Sequence, residues 1–427
     1  MKKLRDKGNT MLERTEELLW AYQISVDELK KDLVLLDNVQ FIYELSLAEL
    51  ELKSFGADFE ITNGLREFKI LNKNDELINL IKKRSAYFKL VFGELTDYFF
   101  IIQKNRTKSV NQYLTHWIYP YKGKFHPQMI RALINIIGLQ SGDLLCDPFS
   151  GSGTTALEAQ LLGVNFYGID ISPLCVLQGK VKTNSLFYLD KIKEYKNYIL
   201  SKLNLNLFNN EKDFYAVINE IDDEEVKDFY KLARLVAISD NARRGKEFEK
   251  SFSKNLELMI ASIEDYKNIT SQLNLNLGKV NIEIGDARRI KLEDNSVDGI
   301  ITSPPYSIAL NYVENDEHSL VDLGYNVESL RNEFIGVRGN GKNKVDLYNA
   351  DMKKAYTEFY RILKPNAYAV IVIGNATYQG KEIQSVEFTI DYMTSIGFSL
   401  ERNILKLIFG LYNVMKKENI LIFKKIK

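Results

Sequence analysis

From residue 143 onward, apolar runs of strand length alternate with apolar residues at helical spacing. "DLLCD" (143–147) reads as a short buried strand, "TTALEAQLLG" as a helix closed by Gly163, and "NFYGID" as a second strand. "SPLCVLQGKVKTN" opens a further helix, with Ser172 as N-cap and Pro173 at its first position. "KVNIEIGD", "SVDGIITS" and "AYAVIVIGN" continue the strands, and "ADMKKAYTEFYRILKP" supplies a crossover helix before the last of them. "FSLERNILKLI" and "ENILIFKKI" read as two closing strands. Such alternation predicts an α/β domain with a doubly wound, mostly parallel sheet and right-handed crossovers. Residues 185–278 break the alternation and contain no proline, and they read as a helical insertion between a first half, 106–184, and a second half, 279–427. Upstream, "ELLWAYQISVDELKKDLVLL" spaces its apolar residues at helical intervals, so residues 1–105 are expected to form a helical N-terminal region.

Composition narrows the compartment more than the chemistry. A chain of 427 residues, 45% hydrophobic and 27% charged, is an ordinary globular protein with room for one large core or two modest ones. The formal net charge is zero, so any affinity for a polyanion must come from a local patch. Such a patch exists: no acidic residue lies between Tyr98 and Gly142, where Lys104, Arg106, Lys108, Lys122, Lys124 and Arg131 sit among aromatics. A solvated basic surface would leave the same trace. Cys146 and Cys175 are too few for a disulfide framework, which fits a reducing cytosol. No segment approaches the ~18 apolar residues of a membrane span, and the charged N-terminus lacks the apolar stretch of a signal peptide. A cytoplasmic protein without a membrane partner is expected.

The first chemical signal is "LLCDPFSGSGTTALEA", which places Gly151 and Gly153 between a strand and a helix. Glycine lets backbone approach a ligand closely, and the helix N-terminus that follows favours an anionic group. No lysine follows the second glycine, which excludes a P-loop. Asp170 ends the next strand, where a carboxylate takes a ribose diol, and Asp286 in "IEIGDAR" ends the third, within reach of an adenine amine. With Asp147 before the glycines, three acids fall on one carboxyl edge of the sheet. An acid at Asp147 suits a cofactor with a positive amino group, and S-adenosylmethionine carries such a group beside its sulfonium.

The second signal is "TSPPY" at 302–306, which spends two of the chain's seven prolines at the end of the fourth strand. Proline fixes φ and has no N–H, so Ser303-Pro304-Pro305 makes a rigid corner that presents acceptors at a fixed place. The Ser303 hydroxyl and Pro304 carbonyl suit both hydrogens of an exocyclic amine, and Tyr306 offers a face for a flat base. Holding the amine's hydrogens out of the ring plane frees its lone pair for attack on a sulfonium methyl. A base reached in this way must leave its helix.

With both motifs placed, the chain resembles the amino-group DNA methyltransferases that use S-adenosylmethionine. The likeness rests on "DPFSGSGTT", "GIDIS", "GDAR" and "TSPPY", with "YPYKGKFHPQMIRALI" upstream. It implies a Rossmann-like methyltransferase sheet and a cofactor site made by Phe125, Pro127, Asp147, Pro148, Phe149, Gly151, Gly153, Thr154, Asp170, Ile171, Asp286 and Ala287. It implies Ser303, Pro304, Pro305 and Tyr306 as the catalytic corner. In that family the Ser-Pro-Pro-aromatic form goes mainly with N4 of cytosine, and the Asp/Asn-Pro-Pro form with N6 of adenine. The implied partners are double-stranded DNA with the target base flipped out and a cognate restriction endonuclease.

Candidate nucleic-acid contacts are Lys104, Arg106 and Lys122 in the basic segment, and Arg243 and Arg244 in "NARRGKEFEKSFSK". Arg338 and Lys342 in the Gly-rich "GVRGNGKNK" complete the set, as cations that follow phosphates. His116, His126 and His318 have no partners at metal-ligand spacing and read as structural. Four readings compete with an N4-cytosine enzyme: an adenine-N6 DNA methyltransferase, a tRNA guanosine-N2 methyltransferase, a non-catalytic DNA-binding regulator that keeps the fold, and a nicotinamide enzyme, since Gly151–Ala156 also satisfies a relaxed dinucleotide fingerprint.

Overall fold

A computed structural model describes residue 22 and residues 24–204, 211–305, 312–339, 342–378, 381–409 and 415–426. The chain divides into two compact units, Met1–Phe100 and Ile101–Lys427.

Among its described residues the first unit is mixed, not helical throughout as the apolar spacing of its sequence suggested. It is an α+β unit with a five-stranded antiparallel sheet in the order β2 (Phe59–Thr62), β3 (Glu67–Ile70), β1 (Leu33–Leu35), β4 (Phe88–Val91), β5 (Glu94–Leu95), with helices at Ile42–Ser54 and Asp75–Arg84. The "LVL" of β1, placed in a helix by its spacing, is the buried central strand. Strands of two to four residues are too short to display a period of two, so helical spacing in the flanking sequence outweighs them. The helix Asp75–Arg84 is amphipathic, with Leu77 and Ile81 buried and Asn74 accepting the Leu77 N–H as N-cap.

The second unit carries the expected α/β architecture. Its seven-stranded sheet runs β13 (Phe398–Phe409), β14 (Met415–Lys425), β10 (Leu363–Ile373), β9 (Val297–Thr302), β6 (Leu144–Asp147), β7 (Asn165–Asp170), β8 (Val280–Ile284). The β6–β7, β7–β8, β6–β9 and β9–β10 pairs are parallel, and the closing β14 and β13 are antiparallel. A two-stranded hairpin, β11 (Ala376–Tyr378) and β12 (Lys381–Ile383), stands beyond the end of β10. The apolar strand sequences predict this burial: Leu145, Cys146, Val297, Ile300 and the run Ala369–Ile373 are all closed to solvent. Helices Lys342–Ile362 and Ser385–Ser395 cover one layer through Met352, Tyr356, Phe359, Val386 and Met393. Helices Pro127–Ile136, Thr154–Leu161 and Pro173–Asn184 pack side by side, and the insertion's Glu224–Arg244 and Phe248–Gln272 extend that layer. The insertion is helical as expected, and it belongs to the same compact unit as the sheet.

Strand order places the site. From β6 the chain winds through β7 and β8 in one direction, then restarts at β9 on the other side of β6. The carboxyl ends of β6 and β9 therefore flank the switch point, where open α/β sheets form their ligand crevice.

Candidate active site

The β6 end turns through Gly151 and Gly153, both at positive φ (49° and 75°), into the helix Thr154–Leu161. The two glycines serve different ends. Gly151 faces a cavity of about 930 Å³ beside the Tyr121 ring. Gly153 does not line that cavity: a Cβ there would stand 2.7 Å from the Gly179 Cα, so it lets two helices meet.

Two carboxylates hold this turn. Asp170, at the end of β7, accepts the Gly151 N–H at 2.8 Å and the Ser172 N–H at 2.9 Å, and it lines the cavity. Burial pushes its carboxyl up to about 6, against the pull of the two amides. Asp147 is 1% exposed and does not line the cavity. It accepts the Thr302 hydroxyl at 2.6 Å, the Thr155 hydroxyl at 2.8 Å and the Phe149 N–H at 3.1 Å. Burial pushes it also up to about 6. Asp147 thus ties the glycine turn to the end of β9, in place of the direct ligand contact its position suggested.

Asp286 lies two residues past β8 on the cavity wall and is held by Arg288 at 2.8–3.0 Å. Burial alone would raise its carboxyl, but the Arg288 contacts outweigh burial and keep it below the ordinary value. Arg288 also meets Asp351 at 3.1 Å, and Asp351 pairs with Arg338.

Across the switch point, Ser303 and Pro305 line the same cavity as Gly151 and Asp170, whereas Pro304 is buried and does not. The corner is pinned from two sides. Ser303 Oγ donates to the Val372 carbonyl on β10 at 2.9 Å, and the Tyr348 hydroxyl donates to the Pro305 carbonyl at 2.9 Å. Tyr306 lies outside the described residues.

Of the other residues implied for the cofactor, Phe125, Pro148, Phe149, Thr154, Ile171 and Ala287 line the cavity. Pro127 is buried at the first position of its helix and does not. The residues present fit an adenosyl cofactor: bare backbone at Gly151, one carboxylate at the end of β7 and a second just past β8 face one cavity.

Among the described residues, five of the cations expected to follow phosphates, Arg106, Lys122, Arg243, Arg244 and Arg338, are engaged within the protein. Arg106 forms a bidentate pair with Asp265 at 2.6 and 3.0 Å. Arg243 donates to the Pro120 and Asn315 carbonyls and to Asp316 at 2.6–2.8 Å, and Arg244 to Asp240 at 3.1 Å. Lys122 lines the cavity and donates to Asn315 Oδ1 at 2.5 Å. Lys104 is half-buried, and its carbonyl accepts the Leu114 N–H. The side chain of Lys342, first residue of its helix, lies outside those described.

The histidines take structural places. His116 is buried against Glu158 at 2.9 Å, and burial drives its ring well below the usual value. His126 caps the helix Pro127–Ile136 and is pushed down to about 3 by burial. His318 is lowered too, by burial first.

Several cavity residues were not singled out by the sequence reading: Tyr121, Ser150, Ser152, Asn375, Thr377, Lys406 and Glu418. Asn375 was within reach, since it follows an apolar strand on the ligand-bearing edge. Lys406 and Glu418 face each other only through the pairing of β13 with β14.

A family model described as DNA methylase, of the N6/N4 amino-methyltransferases, matches residues 5–180, which include the glycine turn and precede the Ser303 corner. The type II methyltransferase M.MjaII of Methanocaldococcus jannaschii is 34% identical over 197 residues, 43% of this chain and 34% of that protein. M.BsoBI of Geobacillus stearothermophilus, also a type II methyltransferase, is 25% identical over 386 residues, 74% of this chain and 75% of that protein. Over residues 5–180 the chain is similar to the amino-group DNA methyltransferases. The match spans about a third of the first relative's length and three quarters of the second's. A tRNA (guanine(10)-N2)-dimethyltransferase of Methanocaldococcus jannaschii is also similar, at 30% identity over 128 residues, 30% of this chain and 34% of that protein. Among the described residues, no helix is long and apolar enough to cross a membrane.

Proposed function

We propose that the protein methylates the exocyclic N4 amine of cytosine in double-stranded DNA, as the modification enzyme paired with a restriction endonuclease of the same sequence specificity. The observation that carries this reading is that the glycine turn and the Ser-Pro-Pro corner face one cavity at the switch point of the sheet.

S-adenosylmethionine is the cofactor and supplies an electrophilic methyl group on a sulfonium. Asp170 would hold the ribose and Asp286 the adenine amine, while Gly151 and Phe149 would line the methionine end. Asp147 works through others: it fixes the Phe149 amide and the Thr155 and Thr302 hydroxyls. On the acceptor side, Ser303 spends its proton on the Val372 carbonyl, which leaves its oxygen in the acceptor role toward an amine. Proline carbonyls at the corner add acceptors that cannot rotate away. Tyr306, which lies outside the described residues, is assigned the stacking role toward a flipped base from its place in the sequence alone. Orientation and neutral hydrogen-bond acceptors, without a strong base, suit an amine whose lone pair is delocalised. The Ser-Pro-Pro form supports cytosine over adenine.

The test is transfer of labelled methyl from the cofactor to duplex DNA and to bulk tRNA, followed by sequencing that separates N4-methylcytosine from N6-methyladenine. Label in DNA at cytosine is expected, and Tyr306→Ala should abolish transfer while retaining cofactor. The similarity to a tRNA guanine-N2 enzyme supports a second reading, and label in tRNA with none in DNA would establish it.

A further inference from the structure

The cavity continues past the Ser303 corner. Its cofactor residues stand on β6, β7 and after β8, whereas Asn375, at the end of β10, and Lys406 and Glu418, on β13 and β14, stand beyond β9 on the opposite side. Gly374 lets this hairpin come close, because a Cβ there would lie 2.8 Å from the Lys417 carbonyl. If the donor lies over β6–β8, this far wall belongs to the methyl acceptor.

Lys406 and Glu418 are direct cross-strand partners with Nζ and Oε2 at 2.7 Å, and Lys406 is 7% exposed. A pair so desolvated gains little net stability and points to a role in what it presents. An ammonium has three N–H groups, and among the described residues Glu418 is the one hydrogen-bond partner of Lys406. His126, whose ring feels the Lys406 charge, is held neutral and supplies no counter-charge.

Among the described residues of this far wall, no other buried ammonium lines the cavity. In both cytosine and adenine, the carbon bearing the amine also bears a ring nitrogen that accepts a hydrogen bond. The corner can take the amine's hydrogens, but it cannot serve the ring nitrogen, since the Ser303 proton goes to Val372 and proline has no N–H. The Asn375 amide donates to Glu382 and Gln384, and Lys417 is exposed.

Resting on the reading of this cavity as a methyl-transfer site, we propose that Lys406 is a specificity-determining residue that donates to the ring nitrogen beside the target amine, with Glu418 positioning it. A base without that ring acceptor leaves the buried ammonium unpaired and is rejected. The pair therefore selects cytosine or adenine over a base that offers N–H at the same edge.

The test is a chemical double-mutant cycle on the intact protein. Wild type and Lys406→Met are each given duplexes with the natural target base or its deaza analogue, 3-deazacytosine or 1-deazaadenine, after the target has been read from methylated DNA. Wild type should lose about 10- to 100-fold in kcat/KM on the analogue, the range expected when a charged donor loses its acceptor. Lys406→Met should lose a similar factor on the natural duplex and little more on the analogue, with cofactor affinity unchanged by calorimetry. Glu418→Gln should fall in between. Losses that multiply would overturn the proposal, and so, even if Lys406→Met failed to fold, would a wild type indifferent to the analogue. A Lys406→Met defect confined to the salt dependence of DNA affinity would reassign the residue to a phosphate and overturn it too. Wild-type protein that labels no DNA would overturn the methyl-transfer reading and this proposal together, whereas labelled DNA with an unaffected Lys406→Met overturns this proposal alone.

Discussion

The two ends of the cavity are held in opposite ways. At the cofactor end, buried carboxylates collect donors: Asp170 fixes the Gly151 and Ser172 amides, and Asp147 fixes two hydroxyls and an amide. At the acceptor end, neutral hydroxyls satisfy carbonyls, from Ser303 to Val372 and from Tyr348 to Pro305. On the proposed reading, a cationic cofactor would meet negative charge at one end, and a neutral amine would meet the uncharged acceptors of the corner at the other. The cofactor end should therefore depend on pH and the corner should not. Thr302 joins them, since it ends β9, the strand that leads into the Ser303 corner, yet donates to Asp147.

The sharpest way to break this comparison is Asp170→Ala. It removes the charged acceptor of two backbone amides, and charged hydrogen bonds contribute about 1.5–3 kcal/mol each. Cofactor affinity should fall about 30- to 100-fold in a calorimetric titration, with methyl transfer at saturating cofactor little changed. A lower transfer rate at unchanged affinity would mean that the two ends are not separable.

Acid should reproduce that loss without a mutation. Asp170 and Asp147, pushed up to about 6 by burial, carry charge above that pH and lose it as pH falls through it. Cofactor affinity should drop by up to about tenfold per pH unit below about 6 for one titrating group. At these two groups the folded chain takes up protons more readily than the unfolded chain, whose carboxyls titrate near 3.8. Protonation there favours the fold, so weaker binding near pH 5 is expected with no matching contribution to unfolding, which thermal denaturation followed against pH checks. Transfer at saturating cofactor should be flatter with pH than the affinity is.

Thr302→Val tests the joint. It keeps the shape of the side chain and removes one donor from a buried carboxylate, at a cost of about 1.5–3 kcal/mol in stability. Both cofactor affinity and transfer rate should fall, by up to about tenfold. An effect on one alone would show that the ends are held independently. The smallest change expected is from Tyr348→Phe, which loses one neutral hydrogen bond to the corner, about 0.5–1.5 kcal/mol. The transfer rate should fall a few-fold while the cofactor dissociation constant stays as it was.

Much of the second unit was legible because its signals are local. A strand, a glycine turn and a helix in succession define one βα unit whatever surrounds them, and the proline corner announces itself within five residues. What stayed hidden depended on partners remote in sequence. Arg106, Arg243 and Arg338 read as open cations because Asp265, Asp316 and Asp351 are not their neighbours along the chain. Asp147 read as a ligand contact because the Thr302 hydroxyl that occupies it lies 155 residues away. The first unit read as helical because its strands are too short for alternation to show.

By itself the sequence determined the order of strands and helices in the second unit, the two bends that carry its chemistry and the acids that follow its strands, since each depends on backbone preferences of a few adjoining residues. Only the tertiary structure decided that both bends open into one cavity, that Asp147 braces that cavity without lining it, and that Lys406 meets Glu418 in its wall. Those outcomes follow from strand order and burial, which bring distant donors and acceptors together and remove the water that would otherwise satisfy them.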